Sequence, residues 1–214
     1  YGKNEVLIRT DFVPELKEGY RLRNIGDSTG YLGSRIYNHL KYRHYYKEKL
    51  WLYITAEKDA GEQLLEKFNK GYDFISASFQ LKNHGFIKNL IFGDYQANFG
   101  QGLVISQAFS TGKSTMTTRV CDLNTGFKRY GSTNEFNFLR GMALSLQHQQ
   151  VSLHVFFSGR QLDGKVQHDM FPAFYQTGYH RTTDEISKRN KVKQSLAGFN
   201  LAFNGIWYQI GVNS

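Results

Sequence analysis

The chain holds one cysteine (Cys121) and two prolines (Pro14 and Pro172) in 214 residues. A lone cysteine excludes a disulfide framework and a zinc site built from thiolates. So little proline leaves the backbone N–H groups available for strand ladders. No stretch approaches 18 consecutive apolar residues, which excludes a transmembrane helix. A transmembrane barrel is not excluded, because its strands are half polar and hide from hydropathy counting. Charged residues make up only 21% of the chain against 40% apolar, so the composition is not that of a disordered polymer. The opening Tyr1-Gly2-Lys3-Asn4 carries neither the charged nor the apolar region of a signal peptide. The expectation is either a protein that is not exported or a chain without its signal sequence. A first residue other than methionine favours a mature or truncated product.

What is abundant is aromatic: 17 Phe, 14 Tyr and 2 Trp. Such side chains suit the pleated surface of a sheet, and strict alternation confirms that choice locally. Ile75, Ala77, Phe79 and Leu81 alternate with Ser76, Ser78 and Gln80. Val151, Leu153, Val155 and Phe157 alternate with Ser152, His154 and Ser158, and Phe199, Leu201 and Phe203 with Asn200 and Ala202. A helix would scatter these apolar residues around its cylinder. Strands are predicted at 4–12, 34–46, 50–58, 72–83, 87–98, 135–148, 151–163, 195–204 and 206–213.

The predicted connections come in two sizes. Tight turns fall at 47–49, 83–85, 149–150 and Asn204-Gly205, the last a hairpin signal because both residues tolerate positive φ. Long connections fall at 13–33, 59–71, 99–134 and 164–194. Short and long alternate throughout if 87–109 is one excursion, as in up-and-down membrane barrels; a tight turn between two ordinary strands is the alternative. The glycines of Phe99-Gly100-Gln101-Gly102-Leu103 mark a bulge, a kink or a segment folded into the barrel. Two short helices are expected in the long connections. One covers 60–70, with Leu64, Leu65 and Phe68 at helical spacing. The other follows Thr182-Thr183-Asp184-Glu185, which fits a capping box.

Motifs for chemistry are sparse. Thr111-Gly112-Lys113-Ser114 resembles the tail of a phosphate loop, but Gln107 stands where the first glycine is required. Gly100-Gln101-Gly102 lacks the third glycine of a dinucleotide fingerprint. The seven histidines are dispersed, and His39 and His44 fall on opposite faces of one strand, so no metal site and no cofactor are expected. Ser152 and His154 share a polar face, with no identifiable acid or oxyanion donors. Glu57 and Asp73 stand close enough in sequence to approach across a loop. They, Asp94, Asp122, Glu135 and Arg140 read as members of ordinary ion pairs. The net charge of +9 is spread over turns, loops and strand faces, densest at 181–193, and reads mainly as solvation.

Several strings resemble one family. They are Ala56-Glu57-Lys58-Asp59-Ala60-Gly61-Glu62, Gly71-Tyr72-Asp73-Phe74, Phe92-Gly93-Asp94-Tyr95-Gln96 through Phe99-Gly100-Gln101-Gly102-Leu103, Ser132 to Phe136, and Thr177-Gly178-Tyr179-His180-Arg181-Thr182. The family is that of Bacteroidota outer-membrane β-barrel proteins known as helix-hairpin-helix-containing or competence-type proteins. The resemblance runs from about Glu48 onward. It implies an internal part of a larger barrel whose N-terminal helix-hairpin-helix region is not in this sequence. DNA binding therefore does not carry over, and nucleic acid has no support from this segment.

The expectation is an all-β fold: a partial, antiparallel, up-and-down transmembrane β-barrel, one domain over 1–214, with short helices in its long loops. It would sit in a Gram-negative outer membrane as a pore, translocation component or scaffold, without enzymatic activity. Its partners would be membrane lipid, lipopolysaccharide and other subunits of an outer-membrane complex. Ile75, Ala77, Phe79, Leu81, Val151, Leu153, Val155, Phe157, Phe199, Leu201 and Phe203 would face lipid, and Gly100, Gln101 and Gly102 would narrow the lumen. An odd number of strands, about nine, and two bare edges agree with incompleteness. The rival readings are a soluble ligand-binding β-sandwich or barrel, and a lipid hydrolase using Ser152 and His154.

Overall fold

A computed structural model describes residues 1–25, 28–65, 70–99, 126–167, 170–204 and 209–213. The structure is mostly antiparallel β-sheet, 60% strand and 6% helix, so the fold is all-β. In chain order the elements are β1 (Gly2–Phe12), α1 (Glu18–Ile25), β2 (Ile36–Tyr46), β3 (Leu50–Lys58), β4 (Phe74–His84) and β5 (Ile87–Asn98). They continue with β6 (Gly126–Arg129), β7 (Leu139–His148), β8 (Val151–Leu162), β9 (Gly164–Gln167), β10 (Met170–Phe174), α2 (Thr183–Ser187), β11 (Val192–Asn204) and β12 (Gln209–Asn213).

One antiparallel sheet runs β1-β2-β3-β4-β5-β7-β8-β11-β12, with β6 added on β5; β9 and β10 form a separate hairpin. Along this path the strands follow chain order, as in a meander, with β6 and the β9–β10 hairpin set aside from it. No closed barrel forms among the described residues, and β1 and β12 are its outermost strands.

The register places the two faces of every strand in common rows. Leu52 stands opposite Phe79, Phe79 opposite Phe92, Phe92 opposite Met142, Met142 opposite Phe157 and Phe157 opposite Ala197. The apolar residues of six strands thus form one continuous surface, and it is the exposed one. Ile75, Phe92, Met142, Phe157, Phe199 and Leu201 are open on it, whereas Ser76, Ser78, Gln80, Ser145, Ser158 and Asn200 behind them are buried. This inverts the usual water-soluble arrangement, in which the polar face is the open one.

Part of the chain covers the polar, inner face. At Gly93 (φ +93°) β4 and β5 stop pairing, and the end of β5 folds back. The ladder sets Asn89 opposite Ser145 and Ser145 opposite His154, yet the Phe99 ring lies 5.1 Å from His154. Asn89 also donates from Nδ2 to the Phe127 carbonyl at 2.9 Å, although Phe127 pairs with Ala97. Residues 95–99 and β6 therefore pack onto the inner face. There Ile91, Tyr95, Ala97, Phe99, Phe127, Leu139, Ala143 and Phe156 form the apolar core. The string Gly100-Gln101-Gly102-Leu103, on which the three readings of the excursion turn, lies outside the described residues.

Four local expectations need correction. No helix forms over 60–65: Leu65 takes φ +57°, which ends any helical run. The strand predicted from 135 begins at Leu139, because Asn134 Oδ1 accepts from the backbone of Phe136 and Asn137 and holds a turn. Asn204 pairs with Gln209, so Asn204 belongs to β11 and a two-residue turn at Asn204-Gly205 does not form. The two registers differ by four residues, an even slip that leaves each side chain on its face, so alternation did not separate them. The long connections also hold α1 and the β9–β10 hairpin, which lack a clear periodic signal. The capping box at Thr182 and Glu185 forms as predicted.

Candidate functional site

The ends of the strands remote from the tight turns are tied together by a buried cluster of acids around one histidine. His180 contributes Nδ1 to Asp73 Oδ2 at 2.5 Å and Nε2 to Asp163 Oδ2 at 2.8 Å. Its backbone N–H donates to Glu62 Oε1 at 2.8 Å, and Glu62 Oε2 accepts the Asp59 N–H. Arg189 pairs with Asp73 at 3.0 Å and also donates to the Asp73 carbonyl. Asp163 Oδ1 accepts the Asn190 N–H. Arg160 binds the carbonyls of Glu135, Phe136 and Phe138, which fixes the loop that carries Glu135. A cavity of about 300 Å³ adjoins these groups, with Asp73, Glu135, Arg160, Asp163, His180 and Arg189 on its wall.

Charge follows from this geometry. Ionised carboxylates only accept hydrogen bonds, so a ring flanked by two of them donates from both nitrogens and is an imidazolium. Burial works against that charge, but the bonds to Asp163 and Asp73 outweigh it and lift His180 to about 10. The same burial opposes ionisation of Asp163, yet the His180 bond brings its carboxyl below the ordinary range. Glu135, buried and facing Asp73, is pushed up to about 9 and is neutral at pH 7. Glu62 rises to about 7 by burial and the nearby Asp73. Asp73 thus meets both His180 and Arg189, and Asp163 meets His180.

One ligand atom each from Glu62, Asp73 and His180 lies within 4.8 Å of the others. The distances would enclose a cation, but a doubly donating imidazolium offers no lone pair. The arrangement acts as an ionic clasp that joins chain segments more than a hundred residues apart.

Four of the five strings that carry the resemblance converge on this clasp. Asp59 and Glu62, Asp73, Glu135, and Gly178 with His180 come from these four. Backbone bonds interlock the loops further, from Gly33 N to the Gly61 carbonyl and from Leu32 N to the Arg181 carbonyl. A Cβ at Gly33 would sit 1.6 Å from the Glu62 carbonyl oxygen, so only glycine fits there.

The residues singled out from sequence fall as follows. Of the eleven expected to face lipid, Ile75, Ala77, Val151, Val155, Phe157, Phe199, Leu201 and Phe203 are exposed, and Phe79, Leu81 and Leu153 are half-exposed on the same face. Gly100, Gln101, Gly102, Asp122 and the 111–114 string lie outside the described residues. His154 is bonded to Ser145 at 2.8 Å rather than to Ser152, and Phe99 and Phe127 close over it. Glu57 accepts from the Tyr37 hydroxyl at 2.6 Å and Asp73 is engaged by His180, so these two acids serve different partners. Asp94 forms a two-bond pair with Arg140, as the ion-pair reading expects. In the basic stretch, Arg189 and Lys188 bond to Asp73 and Asp184, and Arg181 lies over the Tyr179 ring. Asp163 gave no signal in sequence and His180 none beyond its place in a resembling string, since dispersed single residues reveal a cluster only once the loops are placed. The chain matches no protein-family model, no curated protein and no solved structure.

Proposed function

We propose that this chain is a stretch of wall from a transmembrane β-barrel of a Gram-negative outer membrane, serving as a channel or translocation component. One observation carries the reading: a single face of the meander exposes Phe, Leu, Ile, Val and Met across six strands while the opposite face buries Ser, Asn and Gln. In water such a surface would be a large aggregation-prone patch. In lipid it is the expected outer belt, and the inner face becomes a polar lumen. Short turns at one end and long connections at the other support the same orientation, with the ionic clasp among the outer loops. The fold-back formed by the end of β5 and β6 would narrow that lumen from inside. The resemblance to Bacteroidota barrel proteins points the same way, and lipopolysaccharide and further subunits of an outer-membrane complex are the partners it implies.

Detergent extraction followed by gel electrophoresis of unheated and boiled full-length protein tests this. A band that shifts on boiling, together with loss of solubility when detergent is removed, is the expected result. Protein that stays monomeric without detergent and shows no shift would mean that the apolar face meets another face in a soluble fold.

A further inference from the structure

On the inner face, the register sets three rows across β1, β2 and β3: Lys3–Tyr45–Trp51, Glu5–Arg43–Tyr53 and Leu7–Lys41–Thr55. Aromatic rings hold the cations in place. Lys3 lies over Tyr45 at 5.9 Å, Lys41 over Tyr53 at 5.5 Å, and Arg129 of β6 over Trp51 at 4.2 Å. The Trp51 ring is itself stacked on Tyr45 at 4.9 Å. Arg43 pairs with Glu5. Lys3, Lys41 and Arg129 have no ion pair with a carboxylate among the described residues.

We propose that this inner strip of β1–β3 and β6 is a binding site for a small anion carrying several phosphate groups. Four cations gather here against one carboxylate. Like charges this close repel one another, and the repulsion is relieved when an anion lies between them. Ring faces supply attraction without neutralising the charge, which keeps the heads ordered; Arg129 Nη1 also donates to Gln80 Oε1 at 3.1 Å, a neutral partner that leaves its charge uncompensated. Alternate residues along a strand are about 7 Å apart, so three rows span about 14 Å. A single monovalent ion does not reach across that length, whereas a chain of phosphates does. The guanidinium groups of Arg43 and Arg129 match phosphate oxygens in pairs, a geometry that lysine alone does not provide. Because the rings are already covered by cations and by each other, the strip offers charge and not stacking surface, which favours phosphate over a flat aromatic ligand.

This inference rests on the barrel reading in one respect: that the strip faces a lumen. Binding and conduction are therefore measured separately on the full-length protein in detergent and in planar bilayers, with tripolyphosphate as the probe. Trp51 fluorescence in a Trp207→Phe background reports binding. The expected result is saturable quenching or enhancement, weakened at least tenfold by Lys41→Gln with Arg129→Gln, and weakened by Arg129→Lys less than by Arg129→Gln because lysine keeps the charge but not the paired donors. An unchanged boiled-gel shift in each variant shows that the fold persists. In bilayers the channel should prefer anions, and tripolyphosphate should block it. Absence of tripolyphosphate binding overturns the site, whether or not the protein conducts. Binding that the double variant does not weaken overturns the assignment to these residues. Saturable binding by a protein that neither inserts nor conducts keeps the site and rejects the barrel reading instead.

Discussion

Gly93 and Gly141 stand directly opposite each other in the ladder between β5 and β7, and neither has room for a side chain. A Cβ on Gly93 would come within 2.2 Å of the Ala77 carbonyl oxygen, and one on Gly141 within 2.3 Å of that of Phe157. Gly93 also has φ +93°, which L-residues rarely adopt. This is where β4 and β5 part and the fold-back onto the inner face begins. Gly93→Ala should therefore cost about 2 kcal/mol or more, with Gly141→Ala close behind. Urea denaturation followed by the loss of the unheated gel band measures both. A cost below about 0.5 kcal/mol at Gly93 would show that the backbone relaxes freely there.

The ionic clasp gives a pH dependence whose direction is fixed. His180 is lifted to about 10 from an ordinary 6.5. The stability from its charge is full below 6.5 and is lost as pH rises through 10. Glu135 is lifted to about 9 from 4.5, so it is neutral in the fold. Unfolding lets it ionise above 4.5, and its contribution also falls as pH rises. Both terms make the loop end weaker between pH 7 and pH 10. Limited proteolysis should cut near 163–180 faster at pH 10 than at pH 7. His180→Gln, which has no charge to lose, should be cut quickly at both pH values.

Much of the sheet was legible in the chain because period-2 alternation marks strands and faces together. Ile75 through Leu81 and Val151 through Phe157 lie on the face assigned to them, since a strand has only two sides and the residue types differ sharply between them. The fold-back was legible only as a glycine-rich anomaly. Its direction depends on Gly93, whose positive φ has no signature apart from glycine itself. The clasp was not legible. Glu62, Asp73, Asp163 and His180 lie in separate loops, and no spacing rule links residues that meet through tertiary structure. Ser152 and His154 show the converse: two residues on one face two positions apart look paired, while the cross-strand neighbour Ser145 takes the bond.

The exposed apolar face predicts opposite responses to charge on the two sides of β8. Phe157 is 57% exposed and Ser158 fully buried. If lipid surrounds the outer belt, Phe157→Arg should destabilise the inserted state by about 2–4 kcal/mol near the bilayer midplane and less near its edges. In a water-soluble protein an exposed Phe157 would accept arginine at almost no cost. Folding equilibria in lipid vesicles read the difference. A cost under about 0.5 kcal/mol at Phe157, Phe199 and Leu201 alike would remove lipid as the neighbour of this face.

Asp94 and Arg140 form the one ion pair seen on the apolar side of β5 and β7 among the described residues, joined by bonds of 2.6 and 2.8 Å. Arg140 also donates to the Ile75 carbonyl at 2.9 Å, a group outside the β4–β5 ladder because the two strands separate at Gly93. The arginine thus closes a gap in the sheet as well as neutralising a carboxylate that is only 1% exposed. Asp94→Asn removes the counter-charge but keeps an amide oxygen to accept from Arg140, which also retains the Ile75 carbonyl, so its cost should be about 1–2 kcal/mol. Arg140→Met leaves Asp94 shielded without a counter-charge and Ile75 without a donor, so it should cost more, about 3 kcal/mol. The double variant should cost less than the sum, because no charge is then stranded, and the coupling should be about 1–2 kcal/mol. A four-variant denaturation cycle measures it. Strict additivity would mean that Arg140 acts here through the Ile75 carbonyl and the sheet gap alone, and that its charge on Asp94 contributes nothing to the fold.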